Sequence, residues 1–329
     1  GDVYKRQLFM RSWWYFNLYR TFGVVPIART VVPPAAAKLI PRCTEEEMYS
    51  LLTEDLAEAA RLLPDTRNAE KARVTGIAAY TLLAKVYLTF GKHAEARTAL
   101  DEAMKATGYG LESTTKRVFD INNKMNKEVI FALYYNKTND NGHGYWYSAN
   151  TDVMADIRNP TPEFKAIYDE SDNRLALIDT YTKIQSNLFA MTKWYDTYDA
   201  TYTTQVGNDF PHLRYADITL MYAEALAETD LPTALTWLNK TRIRAGLDEL
   251  TSDDVKTKAE FIRELAAERG REFALEGHRW FDLVRLGLAV EHFRNLGYTL
   301  DAHNLIFPIP QNQIEIVNNP SILWQNPGF

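Results

Sequence analysis

The chain has 329 residues, of which 46% are hydrophobic and 24% charged, a balance typical of a globular protein and not of a disordered chain. The net charge is −6, and no run rich in Lys or Arg indicates a nucleic-acid-binding surface. The single cysteine, Cys43, excludes an intramolecular disulfide and a metal site built from several cysteines. No apolar run reaches the roughly 18 residues of a membrane-spanning helix, and no signal peptide is recognisable.

The N-terminal end of the sequence carries little pattern. Residues 2–7 are interpreted as an unpatterned leader. Because the sequence opens at Gly1 and not at a methionine, we expect it to be a fragment of a longer protein. The missing targeting signal therefore says nothing about the intact protein.

The first predicted helix covers residues 45–63. Thr44 and Glu47 have the spacing of a capping box, in which each side chain bonds the backbone N–H of the other residue. Apolar residues recur at helical spacing through the segment, and Pro64 ends it.

A helical hairpin is predicted next, with helices over residues 74–90 and 94–107. Its small and aromatic residues match the tetratricopeptide repeat, a helix–turn–helix unit of roughly 34 residues. Ala84 and Ala96 have small side chains at the positions where we expect the two helices to approach closely. The residues that carry the match are Ile77, Tyr80, Leu83, Ala84, Tyr87, Ala96, Leu100, Ala103 and Gly108.

Two further helical stretches follow the middle of the chain. Residues 212–247 predict a weaker hairpin that turns at Leu231 and Pro232, and residues 256–285 predict the longest helix. Because repeat units cannot bury their apolar faces alone, we expect the helices to stack into a solenoid-like scaffold.

The predicted fold class is mainly α, a tetratricopeptide-like scaffold of helix pairs formed by residues 44–113 and 212–290. Residues 114–211 form a loop-rich, aromatic-rich insertion and residues 300–329 an extended tail. Such a long irregular stretch is usually functional or disordered, and its dense aromatic residues argue against disorder. Four prolines exclude one continuous helix over residues 305–329, which we expect to wrap over the helices as extended chain.

Short elements are predicted inside the insertion. Residues 129–135 form a strand or a buried run, and residues 163–169 form a helix after a proline-rich break. Residues 139–142 faintly resemble a calcium-binding loop but lack its alternating ligands and closing Glu, so a polar turn is favoured over a metal site.

No catalytic pattern is recognisable. The six histidines are scattered without metal-ligand spacing, and no nucleophile elbow, phosphate loop or dinucleotide fingerprint occurs. Glu276 and His278, two residues apart, fall on different faces of a helix. A glycosidase pair of carboxylates would not be distinguishable among the many acidic residues. We expect neither an enzyme nor a cofactor.

An aromatic and polar loop is the main candidate binding site. Sugars present apolar faces and hydroxyl edges, which aromatic rings flanked by short polar groups complement. Three consecutive aromatic residues in an extended chain cannot all face one core, because side chains alternate. The alternative is a packed loop anchored by its rings. The candidate ligand-binding residues are Asn139, Asp140, Asn141, His143, Tyr145, Trp146 and Tyr147.

A second aromatic set adds Trp194 and Tyr198 to the candidates. Together with Tyr195 and Tyr202 they recur at a spacing of three to four residues, which suits one face of a helix. Packing in the core is the alternative that this spacing favours.

The densest group of charges lies in residues 268–285. We expect it to form partly buried ion pairs that pin the C-terminal helix to its neighbours, in preference to a catalytic role. Gly277 within a helix costs roughly 1 kcal/mol relative to Ala, which is tolerable where another backbone comes close. The charged residues are Arg269, Arg271, Glu272, Glu276, Arg279, Asp282 and Arg285; the residues predicted to share one apolar face are Phe273, Gly277, Trp280, Phe281 and Val284.

Four segments occur in a characteristic order. They are residues 15–26, ending in FGVVP; residues 213–225, with LRYADI and MYAEA; the charged segment 268–285; and the tail with FPIPQ and QNPGF. Together with NPTPEF at residues 159–164, Asp172 and Arg174, they resemble the SusD/RagB family of outer-membrane nutrient-binding lipoproteins. The resemblance covers nearly the whole chain from about Met10 onward.

The resemblance implies a tetratricopeptide-like fold with a loop-rich ligand-binding portion and no catalysis. It also implies a cell-surface protein, held at the outer membrane by a lipidated N-terminal cysteine, that captures glycans or peptides for a TonB-dependent transporter of the SusC type. Cys43 lies too far inside the pattern to be that cysteine. We expect the lipidated cysteine, the signal peptide and the first helical portion of the family to lie outside this sequence. Gln313 stands where the family tail often has Glu.

Three functions follow from these patterns. The leading hypothesis is a cell-surface glycan-binding component of an importer. An intracellular tetratricopeptide scaffold that binds protein segments is the alternative, and it depends on the repeat match at residues 77–110 alone. The third is an all-helical glycosidase, which sugar release by the pure protein would indicate.

Overall fold

The computed structural model describes residues 2–64, 73–135, 148–150, 160–179, 181–185, 188–194 and 207–329. Helices dominate this part of the chain, as predicted for a mainly α fold. The helices are α1 (Asp2–Phe22), α2 (Pro34–Ala37), α3 (Glu45–Leu62), α4 (Gly76–Thr89), α5 (His93–Ala103), α6 (Thr115–Val118), α7 (Pro162–Lys165), α8 (Leu175–Asp179), α9 (Tyr215–Leu226), α10 (Leu231–Arg244), α11 (Lys258–Glu272), α12 (Arg279–Arg285), α13 (Ala289–Asn295) and α14 (Gln311–Val317). The strands are β1 (Val129–Leu133), β2 (Ser148–Asn150), β3 (Tyr181–Gln185), β4 (Leu188–Met191) and β5 (Phe210–Arg214).

The scaffold is a stack of neighbouring helices. α1 packs on α3, α3 on α4 and α4 on α5, and the stack continues from α5 through α9 and α10 to α11. Ala84, Ala96, Ala223 and Ala234 are fully buried in the main hydrophobic core between these helices. Small residues therefore lie where helix pairs approach, and the predicted tetratricopeptide-like arrangement is confirmed.

The start of α3 follows the predicted capping box. Thr44 Oγ1 accepts a hydrogen bond from the Glu47 backbone N–H at 3.1 Å, and Glu47 Oε2 accepts one from the Thr44 N–H at 2.7 Å. Thr257 and Glu260 form a second capping box at the start of α11. Both helices thus begin where side chains satisfy N–H groups that have no partner within the helix.

The interpretation of residues 2–7 as an unpatterned leader is wrong, because they form the first turns of α1. This helix buries Leu8, Phe9 and Phe16, yet Trp14 and Leu18 on the same helix are exposed. Apolar residues on both sides of the helix weaken the periodicity that marks an amphipathic helix, so this segment does not stand out as a helix in the sequence.

The predicted helix over residues 256–285 is two helices. α11 ends at Glu272 and α12 begins at Arg279, and between them Leu275 and Gly277 adopt left-handed backbone conformations with φ of 64° and 79°. Helical spacing does not continue across this break, so the predicted apolar face shared by Phe273 and Phe281 does not exist. No atom lies within 4 Å of a Cβ built on Gly277, so this glycine serves a turn and not a close helix contact.

Two small antiparallel sheets are formed by strands in the insertion and at its C-terminal end. β1 pairs with β5, with Val129 opposite Arg214 and Leu133 opposite Phe210, which confirms the strand expected in residues 129–135. The other sheet has the strand order β2-β4-β3. The helix expected over residues 163–169 is only the short α7.

The C-terminal tail wraps over the start of the scaffold. The Arg42 guanidinium donates to the Val24 and Trp324 carbonyl oxygens at 2.7 and 2.8 Å and to Asn326 Oδ1 at 2.8 Å. The expectation of an entirely extended tail is wrong, because α14 forms between Pro310 and Pro320, where no proline interrupts it.

Within the part of the chain that the structure describes, no helix combines the length and the apolar character needed to cross a membrane. In the same residues, no group of three or more His, Cys, Asp or Glu side chains is placed to hold a metal ion.

Candidate functional site

Most of the predicted ligand-binding residues, Asn139, Asp140, Asn141, His143, Tyr145, Trp146, Tyr147 and Tyr198, lie outside the residues that the structure describes. Their role stays a prediction. The described chain resumes directly after the loop at β2, which pairs with β4. Trp194 follows β4 after a short turn and is the one predicted site residue with a described environment.

Trp194 is fully buried. Its ring meets Phe119 edge-on at a centroid distance of 5.2 Å and stacks on Phe210 at 5.6 Å. The neighbouring Lys193 is also buried and pairs with Glu276 at 2.8 Å. This environment is the core packing that the sequence offered as the alternative for Trp194, and here the ring supports Phe210 and has no exposed face for a sugar.

A cleft of about 170 Å³ opens beside Phe210, between α1, β5 and the break that separates α11 from α12. We call it the aromatic cleft. It is smaller than the roughly 300–1,000 Å³ of pockets for drug-sized ligands, so it suits one small unit of a larger ligand. The lining residues are Trp13, Phe16, Asn17, Arg20, Lys85, Phe210, His212, Glu276, Gly277, His278 and Phe281.

The walls of the aromatic cleft hold one another in place. His212 lies 4.8 Å from the Trp13 ring and 4.9 Å from the Phe210 ring, and Trp13 meets Phe131 edge-on at 5.3 Å. Trp13, Phe210 and His212 keep part of their surface exposed. Rings fixed by such contacts lose little freedom when a ligand packs against them.

Arg20 lies between two of the rings. Its guanidinium carbon is 4.5 Å from the centre of the Phe16 ring and 4.1 Å from that of Phe281, and Nη2 donates to Asn17 Oδ1 at 2.6 Å. Burial lowers the pKa of Arg20 to about 10, so the group remains protonated at neutral pH. Arg20 thus brings a positive charge to an aromatic wall.

The floor of the cleft is formed by Lys85 and His278. Lys85 Nζ lies 3.1 Å from Asp217 Oδ1 and 3.5 Å from His278 Nδ1. Burial lowers the pKa of Lys85 to about 8, although Asp217 opposes the shift. Burial, followed by the charges of Lys85 and Arg269, holds the pKa of His278 well below its ordinary value, so its imidazole is neutral at pH 7.

A buried group of charges, which we call the arginine–glutamate cluster, lies beyond the cleft. At its centre Arg214 contacts Glu128 at 2.7 Å, Glu272 at 2.6 Å and Glu276 at 2.8 Å. Burial alone would raise the pKa of Glu272, but Arg244, Arg214 and Arg174 hold it below its ordinary value. The cluster consists of Glu128, Asp172, Arg174, Lys193, Arg214, Arg244, Glu268, Glu272 and Glu276.

A second set of buried pairs connects α12 to the scaffold. Arg269 contacts Asp217 at 3.3 Å and Asp282 at 2.8 Å, and Arg285 contacts Asp282 at 2.8 Å and also Glu224. The prediction that charges in residues 268–285 pin this part of the chain to its neighbours is confirmed, although the chain there is not one helix.

Arg279 uses a different partner from the other charged residues of this segment. Its Nη1 donates to the Ala266 carbonyl oxygen at 2.6 Å. The guanidinium therefore ties the start of α12 back to α11 through the backbone.

Comparisons with known proteins bear on what this fold does. Residues 168–329 match the model of the SusD family, and residues 2–88 match a model described as starch-binding associating with outer membrane. The chain belongs to the SusD/RagB family. The resemblance seen in the sequence is thereby confirmed.

Individual SusD relatives align over most of the chain. A SusD-like protein P2 from Formosa agariphila is 27% identical over 98% of this chain and 73% of its own length. A SusD superfamily structure from Parabacteroides distasonis has a TM-score of 0.83 at 23% identity, covering 99% of this chain and 78% of its own. A laminarin binding SusD-like protein has a TM-score of 0.76 at 25% identity, with coverage of 99% and 78%.

Sequence reasoning did not find the aromatic cleft. Its walls come from three distant segments, around Trp13, Phe210 and Phe281, and no spacing rule connects them. The available signal was the run WWYF at residues 13–16, followed by the polar Asn17 and Arg20. A dense aromatic run beside polar side chains was recognised only in the loop around Trp146.

Proposed function

We propose that this chain binds glycans at the cell surface and passes them unchanged to a TonB-dependent transporter of the SusC type in the outer membrane. The observation that carries the proposal is its membership of the SusD/RagB family, together with a fold shared over 99% of the chain with a laminarin binding SusD-like protein. The second family model, described as associating with the outer membrane, supports the location.

The aromatic cleft supplies the chemistry that such binding needs. Trp13, Phe210 and Phe281 provide flat apolar surfaces, while Asn17 and Arg20 provide polar groups beside them. A sugar ring that packs on an aromatic face can exchange hydrogen bonds with water for bonds to these side chains. The loop predicted to bind ligand, with Trp146 at its centre, is the second part of the proposed site.

Binding without catalysis is part of the same proposal. The carboxylates nearest the cleft are engaged: Glu276 contacts Lys193 and Arg214, and Asp217 contacts Lys85. A glycosidase acid must be free to protonate a leaving group, which a carboxylate held by cations does poorly. Incubation of the pure protein with the glycans it binds should release no reducing sugar.

Isothermal titration calorimetry against a panel of soluble glycans and peptides tests the function. We expect saturable binding to at least one glycan and none to the peptides. No binding across the glycans would contradict the proposal, and peptide binding alone would make a peptide the ligand, either of a peptide-capturing SusD/RagB protein or of a tetratricopeptide scaffold. Co-purification with the β-barrel transporter encoded beside it tests the partner, and labelling with a radioactive fatty acid in the native bacterium tests the proposed lipid anchor.

A further inference from the structure

Arg20 differs from the other arginines around the floor of the aromatic cleft. Arg214, Arg269 and Arg285 each contact at least two carboxylates. In the described part of the chain, no carboxylate lies within ion-pair distance of Arg20, whose contacts are two rings and the Asn17 amide. The charges of Asp282 and Asp217 act on Arg20 only from beyond ion-pair distance, and that of Arg285 opposes them, so the guanidinium has no directly paired counter-charge among the described residues.

The hydrogen-bonding capacity of Arg20 is also largely unused. Nη2 donates to Asn17, whereas Nε is buried without a hydrogen-bond partner among the described residues. A guanidinium has five N–H donors in a fixed planar fork, so two donors on Nη1 and one on Nη2 remain unused by the described residues, beside the enclosed Nε. Phe16 and Phe281 hold the fork in place on both sides.

The other charged groups of the cleft do not neutralise Arg20. Glu276 is occupied, because Oε1 accepts from Lys193 at 2.8 Å and Oε2 accepts from Arg214 at 2.8 Å. Lys85 adds a positive charge that it shares with Asp217. His278 is uncharged at neutral pH. The cleft is therefore positive at Arg20, on a protein whose net charge is −6.

We propose that Arg20 binds the anionic group of an acidic sugar, a carboxylate or a sulfate ester, whose ring packs in the aromatic cleft. This inference rests on the proposed glycan-binding function and names its ligand class. Two parallel N–H groups of the guanidinium match the two oxygens of such a group. A neutral sugar would fill the same space and leave the charge without a partner, and the cleft therefore selects for acidic units.

Calorimetry with the full chain tests the preference for acidic sugars. The probes are an oligosaccharide of uronic acid units, the same oligosaccharide after chemical reduction of its carboxyl groups, and a sulfated derivative of the reduced form. We expect the wild type to bind at least one acidic probe about 10- to 100-fold more tightly than the neutral one, the range of a charge-assisted hydrogen bond. Comparison of the two acidic probes separates carboxylate from sulfate recognition.

Variants of Arg20 assign the preference to this residue. Arg20→Met removes the charge at similar length and should abolish the preference, whereas Arg20→Lys keeps the charge without the fork and should keep part of it. Arg61→Met is the matched control, since it removes an exposed arginine that does not line the cleft. Circular dichroism confirms that each variant is folded.

Two results would overturn the inference alone: equal affinity of the wild type for neutral and acidic probes, or a full preference retained in Arg20→Met. Binding of the neutral probe in either case leaves glycan binding intact. Failure of every glycan to bind the wild type would instead remove the proposed function, and this inference with it.

Discussion

The guanidinium groups of Arg214 and Arg20 both lie close to aromatic rings, but the two residues differ in their charged partners. The Arg214 guanidinium lies 4.4 Å from the centre of the Phe273 ring, and that of Arg20 lies 4.1 Å from Phe281. Arg214 is fully enclosed and contacts three carboxylates, whereas Arg20 is partly exposed and contacts none in the described residues. In this protein, therefore, the segment with the most charges forms structural ion pairs, whereas Arg20, which has no carboxylate partner among the described residues, lines an open cleft.

The difference has a physical cause. An enclosed ion is tolerated only where other charges and hydrogen bonds replace its hydration, and the arginine–glutamate cluster supplies both. Arg20 keeps some contact with solvent and lies on rings whose faces attract cations. Arg20 can therefore remain charged without a carboxylate partner in the protein, and it can still bind the carboxylate of a ligand.

Removal of Arg214 tests the structural side of this comparison most severely. Arg214→Met leaves Glu128, Glu272 and Glu276 without their central cation, and loss of one partner from a buried ion pair costs about 3–5 kcal/mol. We expect the free energy of unfolding in urea to fall by that amount. The exposed Arg61→Met is the control, with a change below about 1 kcal/mol. A similar small change in Arg214→Met would show that the cluster does not stabilise the fold.

Acid should weaken the same cluster. The pKa of Glu272 is held below its ordinary value of 4.5, so the folded state binds a proton less readily than the unfolded state. Its stabilisation is therefore complete above about pH 4.5 and is lost as the pH falls below that value. Unfolding free energies measured from pH 7 to pH 3 should decline below pH 4.5, and Glu272→Gln should flatten this decline. An equally steep decline in the variant would assign it to other carboxylates.

Trp146→Ala tests the part of the site that lies outside the described residues. Stacking of a flat ligand on an aromatic side chain is worth about 1–3 kcal/mol, so glycan binding should weaken by that amount if Trp146 contacts a ring. Calorimetry measures the affinity and circular dichroism the fold. An unchanged affinity in a folded variant would restrict the proposed site to the aromatic cleft.

The smallest expected effect is the change in the free energy of unfolding caused by Arg20→Met. The variant loses cation–π contacts worth roughly 0.5–2 kcal/mol and also loses the burden of a partly buried charge, so the two changes largely cancel. We expect the free energy of unfolding to change by no more than about 1 kcal/mol. A loss as large as that of Arg214→Met would mean that Arg20 is a structural residue and would remove the contrast between the two.

The sequence predicted those parts of the fold that depend on local spacing. Buried Ala84 and Ala96 and the capping box at Thr44 follow from the helical repeat and from backbone hydrogen bonding. The left-handed backbone at Leu275 was not predictable, because a leucine rarely adopts it and tertiary contacts decide it. The aromatic cleft was missed since Trp13 and Phe281 meet only in the folded chain.

The hydrogen bonds of Arg42 determine when this part of the fold can be completed during synthesis of the chain. Its acceptors on Trp324 and Asn326 follow it by 282 and 284 residues. At about 5–20 residues per second, a ribosome delivers them on the order of 15–60 s after Arg42. Arg42 therefore emerges long before the segment that supplies these acceptors, and its hydrogen bonds to that segment form only after residues 324–326 have been made.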